Sequence, residues 1–486
     1  MGSTAAAPCH IVAVPYPGRG HVNAMLNLCR LLAARDGVTI TIIVTEEWLS
    51  LLGAPAALPD LGLRVRFEAI PNVIPSEHGR ANDMVGFMEA VYTKMASPFE
   101  QLLDRLAPPA PAAIVADMFV PWTVGVGERR GVPVCIMCPI SATMFAVQYN
   151  FHLLPPAAAG GGASPGTSSC ATRTNIVLLW HVNISANSSR ALYADITGSC
   201  FVENYIPGTK SIRFADLAPT HTDALLLDKI LEAHSSVKKA QCIVFTTFQE
   251  LESDAIGAMR QNCPVYAVGP CVPFMALQEH KASPDGDDYM AWLDAQPAGS
   301  VLYVSLGSFL SVSAAQFDEI AAGLAGSKAR FLWVLRDADA CSRVRGLIRD
   351  PDAGLIVPWT NQLRVLCHPS VGGFFTHCGM NSTLEAVYAG VPMLTLPIAF
   401  DQPTNSRLVT EVWKNGIGLR DMARADGVIG RGEIASAVDR LMRPDAAEFQ
   451  DMRKRVTLWK DAARAASEEG GSSWKDVTSF INFVSR

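Results

Sequence analysis

Short apolar runs of strand type alternate with stretches of helical periodicity along most of this chain, and that alternation constrains the fold more than any other feature. Cys9 to Tyr16 is followed by a helical pattern from Val22 to Ala34 and by a second run from Val38 to Val44. Further runs lie at Val65 to Ile70, Ala112 to Asp117 and Pro133 to Cys138. A similar series resumes with Ser300 to Gly307 and continues through Phe331 to Leu335, Gly354 to Trp359, Val371 to Thr376 and Met393 to Pro397. Repeated strand–helix alternation predicts a parallel sheet covered by helices on both faces. Two series predict two doubly wound α/β domains in tandem, and 486 residues suit two domains better than one.

Residues 269–288 carry proline, glycine and charge without strong periodicity and read as an exposed linker between domains at 1–268 and 289–462. The tail, 463–486, reads as an amphipathic helix that packs back on the first domain. Pro155 to Ser169 is low in complexity and reads as a surface loop. Apolar residues at 49% and charged residues at 18% can fill two cores and exclude a disordered chain. The net charge is −6 and the basic residues are scattered, which argues against a nucleic-acid partner. Met1 to Pro8 lacks the positive segment of a signal peptide, and no apolar stretch approaches the ~20 residues of a membrane span. The expected compartment is the cytoplasm. Cys135, Cys138 and Cys242 lie in apolar runs, where a thiol is a small hydrophobe.

The first strand runs into Pro15-Tyr16-Pro17-Gly18-Arg19-Gly20-His21, with a helical pattern immediately behind it. In an open α/β sheet this turn faces the ligand crevice. His21 at the helix start is either a catalytic base or a capping or packed histidine. Asp117 ends another strand expected at the same edge, where its carboxylate could hold one imidazole nitrogen and leave the other free as a base; alone, it could equally cap the next helix. The turn lacks the G-x-G-x-x-G fingerprint, because Asn23 stands where the last glycine belongs. That argues against the rival reading, a nicotinamide-dependent oxidoreductase.

The second half holds Thr376-His377-Cys378-Gly379-Met380-Asn381-Ser382, a strand leading through a glycine turn into a helix start. Free N–H groups and the positive end of a helix dipole make such a start a phosphate site. Glu385 lies one turn further on the same helical face, within reach of ribose hydroxyls if a nucleotide binds there. Ser308 offers a hydroxyl after a neighbouring strand, and Asp401 and Gln402 follow another with polar groups suited to a sugar.

These residues fall in a 44-residue segment, Trp359 to Gln402, that resembles the signature box of plant UDP-dependent glycosyltransferases. The match includes Trp359, Gln362, His368-Pro369, His377-Cys378-Gly379, Asn381-Ser382, Glu385, Gly390-Val391-Pro392 and Asp401-Gln402. It extends to Gly18-x-Gly20-His21, Ile206-Pro207-Gly208, Glu250-Leu251-Glu252 and Ser305-Leu306-Gly307-Ser308, and is weakest from Leu154 to Phe201. The resemblance implies a GT-B fold, two Rossmann-like domains facing a cleft, with the acceptor held by the first and the UDP-sugar by the second. It implies that Trp359 stacks on uracil, that the Thr360 backbone bonds its edge, and that Gln362 and Glu385 contact the ribose. His377, Asn381, Ser382 and Ser308 would bind the diphosphate, and Asp401 and Gln402 the sugar.

The implied reaction is inverting transfer of glucose from a UDP-sugar to a hydroxyl of a small lipophilic acceptor, with His21 as base and Asp117 behind it. A UDP-sugar-binding protein without catalysis is the alternative, and it would require His21 or Asp117 to be misplaced. The UDP-sugar is a co-substrate, and neither cofactor nor metal is expected; the chain is expected to act as a monomer. Asp337-Ala338-Asp339 imitates a metal-binding D-x-D but reads as a charged turn, and Asp285, Asp287 and Asp288 lack calcium-loop spacing. One departure stands out. The family usually places tryptophan after His-Cys-Gly, where this chain has Met380.

Overall fold

The computed structural model describes residues 9–53, 64–154, 201–217, 224–274, 277, 288–307, 312–348, 353–443 and 450–486. The stretch Pro155 to Ser169, most of residues 269–288, and Ser308 lie outside them. The chain divides into two compact units. One comprises Met1–Phe245, Glu252–Tyr266 and Thr478–Arg486, and the other Thr246–Leu251 and Ala267–Val477.

The first unit is built on seven strands: β1 (Cys9–Val14), β2 (Val38–Thr45), β3 (Val65–Ile70), β4 (Ala113–Asp117), β5 (Val134–Cys138), β6 (Cys242–Phe245) and β7 (Val265–Ala267). They lie in the order β3-β2-β1-β4-β5-β6-β7, parallel from β3 through β6. Every residue of β1, β4, β5 and β6 is buried, as helices on both faces of a parallel sheet require. β1 stops at Val14, short of the expected Tyr16, because Pro15 and Pro17 have no N–H to extend a ladder. The helix Arg19–Ala33 then packs back on the sheet through Val22, Met25, Leu26, Cys29 and Leu32, a spacing that places them on one face. Cys135 and Cys138 are buried in β5, and burial pushes the Cys138 thiol well above its ordinary range.

The second unit has six strands: β8 (Val301–Ser305), β9 (Arg330–Val334), β10 (Gly354–Val357), β11 (Val371–Thr376), β12 (Met393–Thr395) and β13 (Gly416–Gly418). Their order is β10-β9-β8-β11-β12-β13, parallel throughout. One face of this sheet buries Leu302, Val304, Trp333 and Phe375 against Ile320, Leu324, Ile434 and Val438 of the helices Ala314–Gly326 and Arg431–Met442. At Gly372, where the β8–β11 register slips, any Cβ would stand 2.0 Å from the Gly299 carbonyl oxygen, so only glycine permits the approach. Asp337 is not in a turn, as the sequence suggested. It caps the helix Ala338–Leu347 by accepting from the Ala340 N–H at 2.7 Å, and its carboxylate is occupied there.

Strand order reverses once in each sheet, between β1 and β4 and between β8 and β11. Connections leaving the carboxyl ends of strands on either side of such a reversal splay apart and leave room for a ligand. Among the described residues no helix is long and apolar enough to cross a membrane.

Candidate active site

The β1–β4 register, with Val14 opposite Ala116, brings the turn after β1 beside the end of β4. His21, in the first turn of the helix that follows β1, meets Asp117 there, with Nδ1 2.8 Å from Asp117 Oδ2. The Asp117 side chain is fully buried, while that of His21 is 24% exposed. Asp117 Oδ1 accepts from the Phe119 N–H at 2.9 Å, so both carboxylate oxygens are engaged and the group cannot swing away. With its Nδ1 proton donated to Asp117, the imidazole presents Nε2 as an acceptor.

The ring is also packed in place. Tyr16 and Phe119 stand 5.0 and 5.6 Å from it, centroid to centroid. Behind Tyr16 lies a buried ion pair that sequence reasoning missed, Arg80 Nε to Glu77 Oε2 at 3.1 Å. Arg80 presses on the turn so closely that a Cβ on Gly18 would meet its guanidinium at 1.8 Å. Burial raises the Glu77 carboxyl above the usual range, against the opposing pull of Arg80 and of the Arg19 backbone N–H that it accepts. No local sequence signal marks these two residues for the site, because the turn they support, at Gly18 and Arg19, is distant in sequence.

In the second unit, β8 and β11 deliver a second constellation. The His377 ring packs between Gly307 and Gly379, each so close that an added Cβ would lie 2.8 Å from Nε2. Its Nδ1 is buried without a partner. Burial pulls its pKa down to about 4, partly offset by a hydrogen bond with the Ser305 backbone, so the ring is neutral near pH 7. The helix Met380–Ala389 begins right behind it with Gly379 as N-cap and no capping side chain. The N–H groups of Met380 and Ser382, in its first turn, have no acceptor within the helix, which suits an anion. Ser308 lies outside the described residues.

Of the remaining box residues, Gln362 and Glu385 meet at that helix. Trp359 is 54% exposed, an uncommon position for a large aromatic ring. The Thr360 side chain is fixed by Tyr303, hydroxyl to hydroxyl at 2.8 Å. Gln362 Nε2 donates to Ser382 Oγ at 3.0 Å and to Glu385 Oε2 at 2.9 Å. Desolvation pushes the Glu385 carboxyl up to about 7, moderated by the Gln362 bond. Gln402 Oε1 accepts from the N–H groups of Ile398 and Ala399 at 2.8 and 3.0 Å, so its carbonyl braces its own turn. Asp401 Oδ2 accepts from Asn405 Nδ2 at 2.7 Å. Asn405 was also missed, since nothing in its local sequence announces two partners. Met380 is buried.

Comparison with known proteins agrees with this chemistry. Residues 231–442 match the family model described as "UDP-glucoronosyl and UDP-glucosyl transferase". The chain is 39% identical to UDP-glycosyltransferase 87A2 of Arabidopsis thaliana, over 98% of this chain and 96% of that one. It is 32% identical to the indole-3-acetate beta-glucosyltransferase of Zea mays, over 98% of each. Its fold is similar to the crystal structure of Medicago truncatula UGT71G1 complexed with UDP-glucose, with a TM-score of 0.78 at 23% identity over 98% of each chain. The expectation of a GT-B architecture is borne out by that likeness and by the two Rossmann-like sheets. With a relative of that similarity along nearly the whole chain, the protein belongs to the plant UDP-dependent glycosyltransferase family, enzymes that transfer a sugar from a UDP-sugar to small acceptors.

Proposed function

We propose that the enzyme transfers glucose, with inversion, from UDP-glucose to a hydroxyl of a small lipophilic acceptor, with His21 as general base. The observation that carries this reading is the 2.8 Å bond between His21 Nδ1 and a fully buried Asp117 carboxylate. As the acceptor oxygen attacks the anomeric carbon from the face opposite UDP, its proton passes to His21 Nε2 and the C–O bond to UDP breaks. Asp117 stabilises the imidazolium through the Nδ1 hydrogen. The departing diphosphate keeps its electron pair, and its charge is met by the helix start at Met380 and by the neutral His377 ring.

In this reading residues 1–268 carry the acceptor and 289–462 the donor. Trp359 stacks on uracil beside the Thr360 backbone, Gln362 and Glu385 contact the ribose, and Asp401 and Gln402 contact the sugar. Glucose is supported by the activity in the name of the maize relative. The protein works as a cytoplasmic monomer. The test is turnover of UDP-glucose and an ordinary alcohol acceptor by His21→Ala. Loss of a base lowers kcat on the order of 10²–10⁴ while UDP affinity stays near that of the parent. Full activity in that variant would mean that another group is the base.

A further inference from the structure

Asp401 and the turn around Cys378 are assigned above to different parts of the donor, yet one buried amide touches both. Asn405 lies in the helix Gln402–Arg407 and is completely shielded from solvent. Its Nδ2 donates to the Cys378 carbonyl at 2.9 Å and to Asp401 Oδ2 at 2.7 Å. Its backbone N–H donates to the Asp401 carbonyl at 2.9 Å.

The two segments it joins are both strained. Cys378 has φ 66° and Phe400, immediately before Asp401, has φ 58°. They are two of the four non-glycine residues with positive φ among the described residues. A residue with a Cβ adopts that region at a cost and stays there only when its surroundings fix it. The Cys378 N–H is held by Thr376 Oγ1 at 3.1 Å, and its carbonyl by Asn405. A freely rotating Asp401 carboxylate could satisfy itself in several orientations. The amide hydrogen holds Oδ2 at one position relative to the Cys378 turn.

We propose that Asn405 is a positioning residue for sugar discrimination: its amide fastens the Asp401 carboxylate to the Cys378 turn, so that the sugar-reading and diphosphate-binding segments move as one piece. The proposal rests on the reading of Asp401 as a sugar contact. Without the amide, Asp401 samples other orientations and the preference for one sugar over its epimer narrows. A purely structural amide would affect the melting temperature and the active fraction but leave that preference alone.

The experiment measures kcat/KM for UDP-glucose and UDP-galactose in the parent, Asn405→Ala, Asn405→Ser, Asp401→Ala and the double variant Asp401→Ala/Asn405→Ser. Hydrogen bonds to a charged group are strong enough that their loss raises KM for UDP-glucose on the order of ten- to a hundredfold. The glucose-to-galactose ratio narrows in Asn405→Ala. Asn405→Ser, whose single hydroxyl proton serves only one of the two acceptors, falls between the parent and Asn405→Ala, and it carries the test if the alanine variant does not fold. In the double variant the serine substitution adds less than about threefold to the effect of Asp401→Ala, because the two residues act through one contact. A parental ratio in folded Asn405 variants, or additive effects in the double variant, overturns the proposal. An unchanged ratio in Asp401→Ala alone overturns the assignment of Asp401 itself, and the proposal with it. That outcome is distinct from one in which Asp401→Ala narrows the ratio and the Asn405 variants do not.

Discussion

The Gln362 amide donates to Glu385 Oε2 at 2.9 Å, joining the segment after β10 to the helix that begins at Met380. Desolvation has raised that carboxyl to about 7, so it is half-ionised near neutrality. In the proposed reading ribose hydroxyls donate to Glu385 and do so best when it is ionised, so UDP affinity should rise between pH 6 and 8 with release of a fraction of a proton on binding. In the free protein the sign is opposite. Between the ordinary carboxyl value and 7 the folded state binds more protons than the unfolded one, so Glu385 lowers stability as pH rises through that window. Calorimetry in buffers of different ionisation enthalpy reads the proton release directly. Glu385→Gln should remove its share and flatten the stability slope; an identical proton count in both proteins would contradict this account.

Trp359 leaves more than half its surface in water before any ligand binds. Base–aromatic stacking is worth about 1–3 kcal/mol, so Trp359→Ala should weaken UDP binding by roughly 5- to 150-fold. The ligand-free melting temperature should hardly move, because little packing is lost. In the parent, UDP at a hundred times its Kd should add about 2.7 kcal/mol of stability, unaltered by EDTA, whereas NAD should add none. A melting shift abolished by chelator would show that a metal participates.

For Asp117→Asn the geometry sets a dilemma. One amide oxygen cannot accept from both the His21 ring and the Phe119 N–H, which now use different carboxylate oxygens. If the amide turns its NH2 to His21, the ring must protonate on Nε2, and the base is lost. We expect a fall in kcat on the order of 10²–10⁴, comparable to His21→Ala, and no further loss when the two are combined. Multiplicative losses in the double variant would indicate separate roles.

Met380 offers no indole N–H where the family usually has one. A single neutral hydrogen bond is worth about 0.5–1.5 kcal/mol, so Met380→Trp should sharpen the preference for UDP-glucose over UDP-galactose and UDP-xylose by roughly two- to twelvefold. Because Met380 is buried, a fall in melting temperature from overpacking is expected alongside. Ratios of kcat/KM for the three donors decide the matter; an unchanged ratio in an active variant would mean that position 380 does not read the sugar.

The sequence was most legible where function depends on the order of residues along one strand–turn–helix unit. The alternation predicted both sheets, and the helix start at Met380 could be read from Gly379 and the residues behind it. Reading failed where tertiary packing decides. β7 and β13 have three residues each and fell outside the series of strand-like runs. Asp337 looked like part of a turn because capping residues and turn residues share the same polar chemistry. Arg80 and Asn405 were invisible because each packs against a turn that the fold brings to it, at Gly18 and at Cys378. The sequence did not announce that the Gln402 carbonyl braces the preceding turn.

The reversal of strand order in each sheet also bears on how such an enzyme can change. His21, His377 and Asp401 all lie on connections beyond strand ends, while the strands behind them are almost wholly buried. A substitution inside β1 or β11 disturbs a packed interior at a cost on the order of several kcal/mol, whereas one at an exposed position in a connection rarely does. Mutational drift is thereby channelled into the segments that carry the proposed site. Such a scaffold can exchange one acceptor for another over generations without passing through an unfolded ancestor.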